Sequence, residues 1–297
     1  MDVVKRWKIA ILVVASLVLQ GAVYLYFDQF LLAPTSSYEV SASAETVTGG
    51  KAYYSRDRRY TAIVNGQSVE IFMAPRKEPI RTVELGNKKV SYFRWLKDRD
   101  LALMALQEDK ADGSTVTLTQ IHPLGAEHEL AESVSKLPRG SHIVDVAFSQ
   151  ATNVIYMQVQ ISASPEQHRV YRTDANRDLK RVYLNASRVG RIAVLYDQDT
   201  LFYDNLEDGK VTARHVDGSW AVISPQVGKY RLVGVDNNVI YLARLNTEGL
   251  ATAIYTGRLK GKFTEERVLQ TPVDVRQLTV KELGKAAENG KETKKGK

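Results

Sequence analysis

A short unit of two apolar strands joined by a tight corner recurs five times along this chain of 297 residues. The corners contain Asp, Asn or Gln, which favour turns, and the flanking runs are rich in Val, Ile, Tyr and Thr, which favour strands. The first apolar residue of each second strand lies 41, 53, 47 and 38 positions after the one before it. These residues are Tyr60, Leu101, Val154, Leu201 and Val239. A period of about 45 residues, with further strands after each unit, is typical of the four-stranded blades of a β-propeller.

We therefore predict an all-β fold, a β-propeller of about five four-stranded blades over residues 50–280. A twisted four-stranded sheet cannot bury both faces by itself, and radial packing buries them against neighbouring sheets. The stretches 38–47 and 273–280 are candidates for a closing strand that pairs the first and last blades. Because strand number does not determine sheet topology, a jelly roll or another all-β sandwich stays open as the alternative.

Two corners carry a recognisable motif. Residues 55–62 read SRDRRYTA, and residues 148–153 read FSQATN. The first resembles the S-P-D-G-[KR]-x-[ILY]-A corner of TolB-like and WD-type β-propellers, with Arg56 and Arg58 in place of proline and glycine, and the second is a looser copy. The resemblance extends over most of residues 50–270. It implies the propeller fold and loop faces that are presented to protein partners, and it implies no particular activity.

The N-terminal region predicts a membrane anchor. Residues 9–26 form a run of 18 without a charged side chain, and as a helix they would measure about 27 Å, close to the ~30 Å bilayer core. We extend the predicted transmembrane signal-anchor helix to residues 9–32. Lys5, Arg6 and Lys8 precede it, so residues 1–8 are predicted to be cytoplasmic and the rest of the chain extracytoplasmic. A cleaved signal peptide is the alternative, although its apolar region would be shorter.

The excess of positive over negative charge is densest at the two ends of the chain. Residues 33–49 are predicted to be a linker, and residues 281–297, with six Lys and three Glu, a disordered Lys-rich tail. Of the net charge of +7, only +3 belongs to residues 34–280. A nearly balanced body on the extracytoplasmic side does not indicate nucleic acid. The predicted partners are the lipid bilayer, through residues 9–32, and an envelope protein or a cell-wall polymer.

The motifs of common catalytic and metal sites are missing from the sequence. The chain has no cysteine, which excludes disulfides, thiolate zinc sites and a Cys nucleophile. No G-x-S-x-G, P-loop, G-x-G-x-x-G or H-E-x-x-H motif occurs. The histidines show no metal-binding spacing; they are His122, His128, His142, His168 and His215. We therefore predict no catalytic, cofactor-binding or metal-binding residues and no cofactor.

Acidic residues at loops and corners have a structural explanation. The stretch 174–178 matches the first half of an EF-hand loop but lacks the glycine at position six and the glutamate at position twelve. Carboxylate pairs could serve a glycosidase, but the corner aspartates stand where turns use such side chains as hydrogen-bond acceptors. They are Asp57, Asp98, Asp100, Asp197, Asp199 and Asp236. A propeller-type hydrolase is therefore kept only as a less favoured alternative.

Basic and aromatic residues cluster in the first two units, and Arg and Trp are common in interfaces. We predict a partner-binding face there, and the alternative is a solvated blade edge that carries Lys and Arg to block strand addition. Trp220 is instead predicted to pack between blades. The predicted function is a non-catalytic scaffold anchored in the membrane, with a small-molecule sensor or accessory subunit of a membrane complex as the alternative. The residues of the predicted face are Arg56, Arg58, Arg59, Arg94, Trp95 and Lys97.

Overall fold

The computed structural model describes residues 45–47, 49–97, 99–125, 131–149 and 151–280, together with Gln20. Residues 1–39 and 40–297 form two separate compact units. The predicted transmembrane helix, residues 9–32, lies outside the described residues except for Gln20. Within the described part of the chain, no helix has both the length and the apolar character needed to cross a bilayer.

Five antiparallel sheets make up the second unit, and each is built from one contiguous stretch of chain. Blade 1 contains β2 (Gly50–Tyr54), β3 (Tyr60–Val64), β4 (Ser68–Met73) and β5 (Arg81–Glu84), and β1 (Glu45–Val47) pairs with β2. Blade 2 contains β6 (Lys89–Trp95), β7 (Ala102–Lys110), β8 (Gly113–Ile121) and β9 (Ala131–Leu137). Blade 3 contains β10 (His142–Ser149), β11 (Val154–Ala163), β12 (Glu166–Thr173) and β13 (Lys180–Val182). Blade 4 contains β14 (Val189–Val194), β15 (Thr200–Asn205), β16 (Lys210–His215) and β17 (Trp220–Val222). Blade 5 contains β18 (Lys229–Asp236), β19 (Val239–Leu245), β20 (Ala251–Gly257) and β21 (Thr264–Val273).

The predicted five-bladed propeller is confirmed. The first strands of successive blades contact one another, β2 with β6, β6 with β10, β10 with β14 and β14 with β18, so they form the inner wall. The five repeating units of the sequence are the first two strands of the five blades. Tyr60, Val154 and Val239 each begin the second strand of a blade, and Leu101 and Leu201 lie within one residue of such a start.

Buried apolar clusters join each blade to the next, from blade 1 to blade 5. In blades 2, 3 and 4 the second strand has a strand on either side and a blade on either face. As a result β15 is buried along its whole length, and Phe202 and Tyr203 are among the largest fully buried side chains. This double burial explains why the second strands read as continuous apolar runs and not as alternating ones.

The face of blade 5 that is turned away from blade 4 is covered by the segment that follows β21. Val275–Gln277 forms a 3-10 turn, and Leu278 is buried in one cluster with Val233 and Ile254. The two candidate closing strands lie elsewhere than expected. Glu45–Val47, the described part of 38–47, pairs with β2 inside blade 1. Val273 pairs within blade 5, and the Asp274 carboxylate then accepts from the Arg276 N–H, which turns the chain off the sheet.

Candidate functional site

The corners of the repeating units lie at one end of the strands, and we call this end of the propeller the corner face. It comprises the described parts of the connections between first and second strands, at 55–59, 96–97, 99–101, 151–153, 195–199 and 237–238, with the turns between third and fourth strands. In the first corner, Ser55 is buried and its hydroxyl accepts from the Tyr60 N–H at 2.9 Å and donates to Asp57 at 3.0 Å. Asp57 also accepts from the Arg59 N–H at 3.0 Å. The Asp57 carboxylate therefore stabilises the turn, as the sequence predicts.

Arg58 adopts a left-handed backbone conformation, with φ of 59°. It occupies the position that is glycine in the motif the corner resembles, and a side chain there costs energy that glycine avoids. We expect Arg58→Gly to raise the free energy of unfolding by about 0.5–1 kcal/mol, measured by urea denaturation. The control is Arg59→Gly, at an ordinary φ, which should be neutral or destabilising; stabilisation by both variants to the same extent would contradict the explanation.

The structure separates the six residues of the predicted partner-binding face. Arg58, Arg59 and Lys97 are exposed at the corner face and Arg56 is half-buried there. Trp95 is only 3% exposed, so its assignment to a binding surface is wrong. Its indole Nε1 donates to the Tyr53 carbonyl at 2.9 Å, and its ring stacks on Tyr60.

The sixth residue, Arg94, belongs to a set of charged side chains along the inner wall. We call Arg94, Asp145 and Arg191, which lie on the first strands of blades 2, 3 and 4, together with Asp204 of the second strand β15, the inner belt. Four of the five inner strands carry a register irregularity at this level, which frees backbone groups from the ladder. Asp145 of blade 3 accepts from the Ile192 N–H of blade 4 at 3.2 Å, and Arg191 of blade 4 donates to the Val233 carbonyl of blade 5. Burial raises the pKa of Asp145, while the N–H groups of Ile192 and Val146 and the Arg94 guanidinium act against the rise.

Asp204 is the most deeply buried acid of the inner belt, at 3% exposure. Its carboxylate accepts from the N–H of Arg191 at 3.1 Å and from the N–H of Leu232 in blade 5. Burial raises the pKa of Asp204 to about 7, although the guanidinium groups of Arg231 and Arg191 favour the charged form. Asp204 lies near the end of β15, the second strand of blade 4, which is buried along its whole length.

A second, partly buried polar cluster joins blades 3 and 4. The Asp199 carboxylate accepts from Arg172 Nε at 2.8 Å, lies 2.7 Å from Arg172 Nη2, and also accepts from the Tyr156 hydroxyl. Arg172 Nη1 contacts Asp174 at 3.0 Å. Asp174 also accepts from the Asn176 N–H, so the loop resembling half an EF-hand is a turn held by its own side chain. Among the described residues, no group of three or more His, Asp or Glu side chains could hold a metal ion.

An exposed aromatic pair lies at the outer edge of blades 3 and 4. Tyr183 is 69% and Trp220 55% exposed, which corrects the expectation that Trp220 packs between blades. Arg214 connects the two, since its Nε donates to the Tyr183 carbonyl at 3.1 Å and it pairs with Trp220 across β16 and β17. The Arg181 guanidinium lies 4.7 Å from the Tyr183 ring centre. We call Arg181, Tyr183, Arg214 and Trp220 the rim patch.

A cleft of about 560 Å³ opens between blades 1 and 2, at the end opposite the corner face. Gly50, Lys51, Tyr53, Asn65 and Tyr92 are among its lining residues. The Tyr92 hydroxyl is buried near Arg94 and Asp145. Small-molecule sites are clefts of about 300–1,000 Å³ with a few polar groups in their lining, and this cleft has both properties.

Comparisons with known proteins find similarity at the level of structure alone. No family model matches the chain, and no curated protein matches it by sequence. A streptogramin B lyase structure is 11% identical with a TM-score of 0.42, over 80% of this chain and 72% of that one. A luciferin-regenerating enzyme is 10% identical with a TM-score of 0.45, over 81% and 78%. Prolyl oligopeptidase B from Galerina marginata is 8% identical with a TM-score of 0.48, over 76% and 34%. Similarities this distant say nothing about activity, and the propeller assignment rests on the sheets described above.

Proposed function

We propose that the chain is a membrane-anchored, extracytoplasmic β-propeller that binds another protein of the cell envelope and catalyses no reaction. The rim patch carries this proposal. Tyr, Trp and Arg are the residues that contribute most to binding energy in protein interfaces, and here one Tyr, one Trp and two Arg stand together on an exposed edge. The edge strands β13 and β17 have only three residues each, so recognition would rest on side chains and not on strand addition.

The arrangement of the acidic side chains also supports a non-catalytic role. The carboxylates of Asp145 and Asp204 in the inner belt accept hydrogen bonds from backbone N–H groups of the neighbouring blade. Asp199 is held by Arg172 and Tyr156, and Asp57 by the turn that contains it. These contacts give the acids a structural task, whereas a hydrolase needs a carboxyl pair directed at a substrate.

The rim patch can be tested by capture from envelope extract. Tagged full-length chain, solubilised with its N-terminal segment, is compared with Tyr183→Ser/Trp220→Ser. We expect the amount of captured partner protein to be at least tenfold lower with the variant. The matched control is Val227→Ser/Val268→Ser, which changes two side chains that are 81% and 64% exposed elsewhere. Equal recovery by all three forms would contradict the proposal, and recovery of cell-wall polymer alone would replace the protein partner with that polymer.

A small-molecule sensor is the second candidate, favoured by the cleft of about 560 Å³ between blades 1 and 2, which Tyr53, Asn65 and Tyr92 help to line. Gly50 and Lys51 lie at the mouth of this cleft beside β1, so a ligand there could act on the strand that leads toward the N-terminus.

A further inference from the structure

We propose that the corner face binds the anionic lipid surface of the membrane that anchors the chain. This inference rests on the membrane anchoring proposed above. It assigns a role to the basic residues of blades 1, 2 and 5, which the rim patch does not use.

The first observation is the direction in which the chain enters the propeller. β2 runs from Gly50 toward the corner that begins at Ser55, and β1 is antiparallel to it, with Glu45 opposite Ala52 and Val47 opposite Gly50. The chain therefore enters β1 from the side of the corner face. Only residues 33–44 separate β1 from the predicted anchor, and twelve residues reach at most about 40 Å when fully extended.

The last described residues of the chain also run toward the corner face. Val273 pairs with Ala251 at the end of blade 5 that is opposite the corners. By Val280 the chain has reached Gly234, where an added Cβ would lie 2.6 Å from the Val280 Cγ2 atom. Gly234 pairs with Tyr241, two pairs away from the corner at 237–238. The Lys-rich sequence 281–297 continues from this point.

The third observation is the distribution of charge on the corner face. In the turns that the structure describes on blades 5, 1 and 2, nine exposed side chains are basic and two, Asp57 and Glu78, are acidic. Arg59 lies 3.6 Å and 3.9 Å from the carboxylates of Asp57 and Asp100, but such exposed pairs are weak and screened. The turns of blades 3 and 4 on the same face carry three exposed acids, Asp178, Asp197 and Asp217, and one exposed basic side chain, Arg177. The nine basic residues are Arg58, Arg59, Arg76, Lys77, Lys97, Arg99, Arg258, Lys260 and Lys262.

These observations favour lipid over other acidic partners. Each Lys or Arg held near an anionic bilayer adds to the attraction, and a short tether keeps the face at a high effective concentration next to the headgroups. A weak electrostatic contact would therefore be populated without any deep pocket. The acidic sector on blades 3 and 4 would leave the rim patch on the less attracted side, available to a partner.

The test uses the full chain in lipid nanodiscs that contain acceptor-labelled headgroups. Because the chain has no cysteine, Glu78→Cys on the corner face and Asp112→Cys on the opposite face give single donor-labelling sites, and each removes one exposed acid. At 50 mM salt we expect energy transfer from position 78 to at least double when 30% phosphatidylglycerol replaces phosphatidylcholine. The increase should vanish at 0.5 M salt, because a shorter screening length weakens the attraction. Transfer from position 112 should stay unchanged.

Two charge-reversal variants distinguish an effect of the corner face from an effect of net charge. Arg58→Glu/Arg59→Glu/Lys260→Glu should abolish the increase, whereas Lys88→Glu/Lys110→Glu/Lys229→Glu, with the same net charge but on the opposite face, should keep it. Equal transfer in both lipid compositions would overturn the proposal and leave an acidic polymer or protein as the occupant of the face. A chain that fails to enter the discs would overturn the anchor as well, so the two failures are distinguishable.

Discussion

Replacing Asp204 with alanine is expected to lower the free energy of unfolding by about 4 kcal/mol. Alanine would leave the N–H groups of Arg191 and Leu232 buried without an acceptor, and each unsatisfied buried donor costs about 1–3 kcal/mol. Chemical denaturation followed by intrinsic fluorescence measures the loss. The matched control is Asp217→Ala, because Asp217 also accepts two hydrogen bonds, from the N–H and hydroxyl of Ser219, but is exposed. Water can replace it, so its loss should stay below about 1 kcal/mol; equal losses would contradict the explanation.

The same residue should give the protein a recognisable pH profile. In the unfolded chain the Asp204 carboxyl ionises near its ordinary pKa of 3.8, and in the folded protein burial raises that pKa to about 7. The folded state thus holds a proton that the unfolded state has lost. This contribution to stability is fully present below about pH 4 and is lost as the pH rises through 7. Asp204→Asn, which cannot ionise, should flatten the profile over that range.

Replacing Asp199 with alanine is expected to cost about 3 kcal/mol of unfolding free energy. The change would remove the acceptor for both the Arg172 guanidinium and the Tyr156 hydroxyl. Removing one partner of a buried ion pair costs about 3–5 kcal/mol. We place the value at the low end because Arg172 and Asp199 are 19% and 14% exposed and Arg172 keeps Asp174 at 3.0 Å.

The control for Asp199 lies two residues before it in the same turn. Asp197 is exposed, so Asp197→Ala should change stability by no more than about 0.5 kcal/mol. A loss for Asp197→Ala as large as that for Asp199→Ala would show that the turn itself, and not the link between blades 3 and 4, responds to the substitution.

The blades were predictable from the sequence because the strongest hydrophobic signal comes from their first two strands. The centre of a second strand that is enclosed on all sides is apolar, as at residues 201–203 of β15, and this strand follows the first strand after one tight corner. The weak outer strands left almost no pattern. β13 and β17 are three residues long, and two residues of each are exposed. Apolar and polar side chains therefore need not alternate along them.

Trp95 and Trp220 show why the candidate site could not be predicted in the same way. Both stand next to polar residues in sequence, yet Trp95 is buried between blades and Trp220 is exposed at the rim. Trp95 ends an inner strand that faces a neighbouring blade, and Trp220 begins an outer strand that faces solvent. The difference is decided by position within the blade, which only the pairing order reveals. The burial of Asp204 was hidden for the same reason.

Because every blade is formed by consecutive strands, nearly all strand pairing joins residues that are close in sequence. Chains with such local pairing spend little entropy on closing long loops and fold faster than those that must join distant segments. Each blade could therefore form soon after its own stretch leaves the ribosome or the translocation channel, before the C-terminal residues exist. A propeller closed by a shared strand would have to wait for the last residue to be made, and this one has no such delay in the part of the chain that the structure describes.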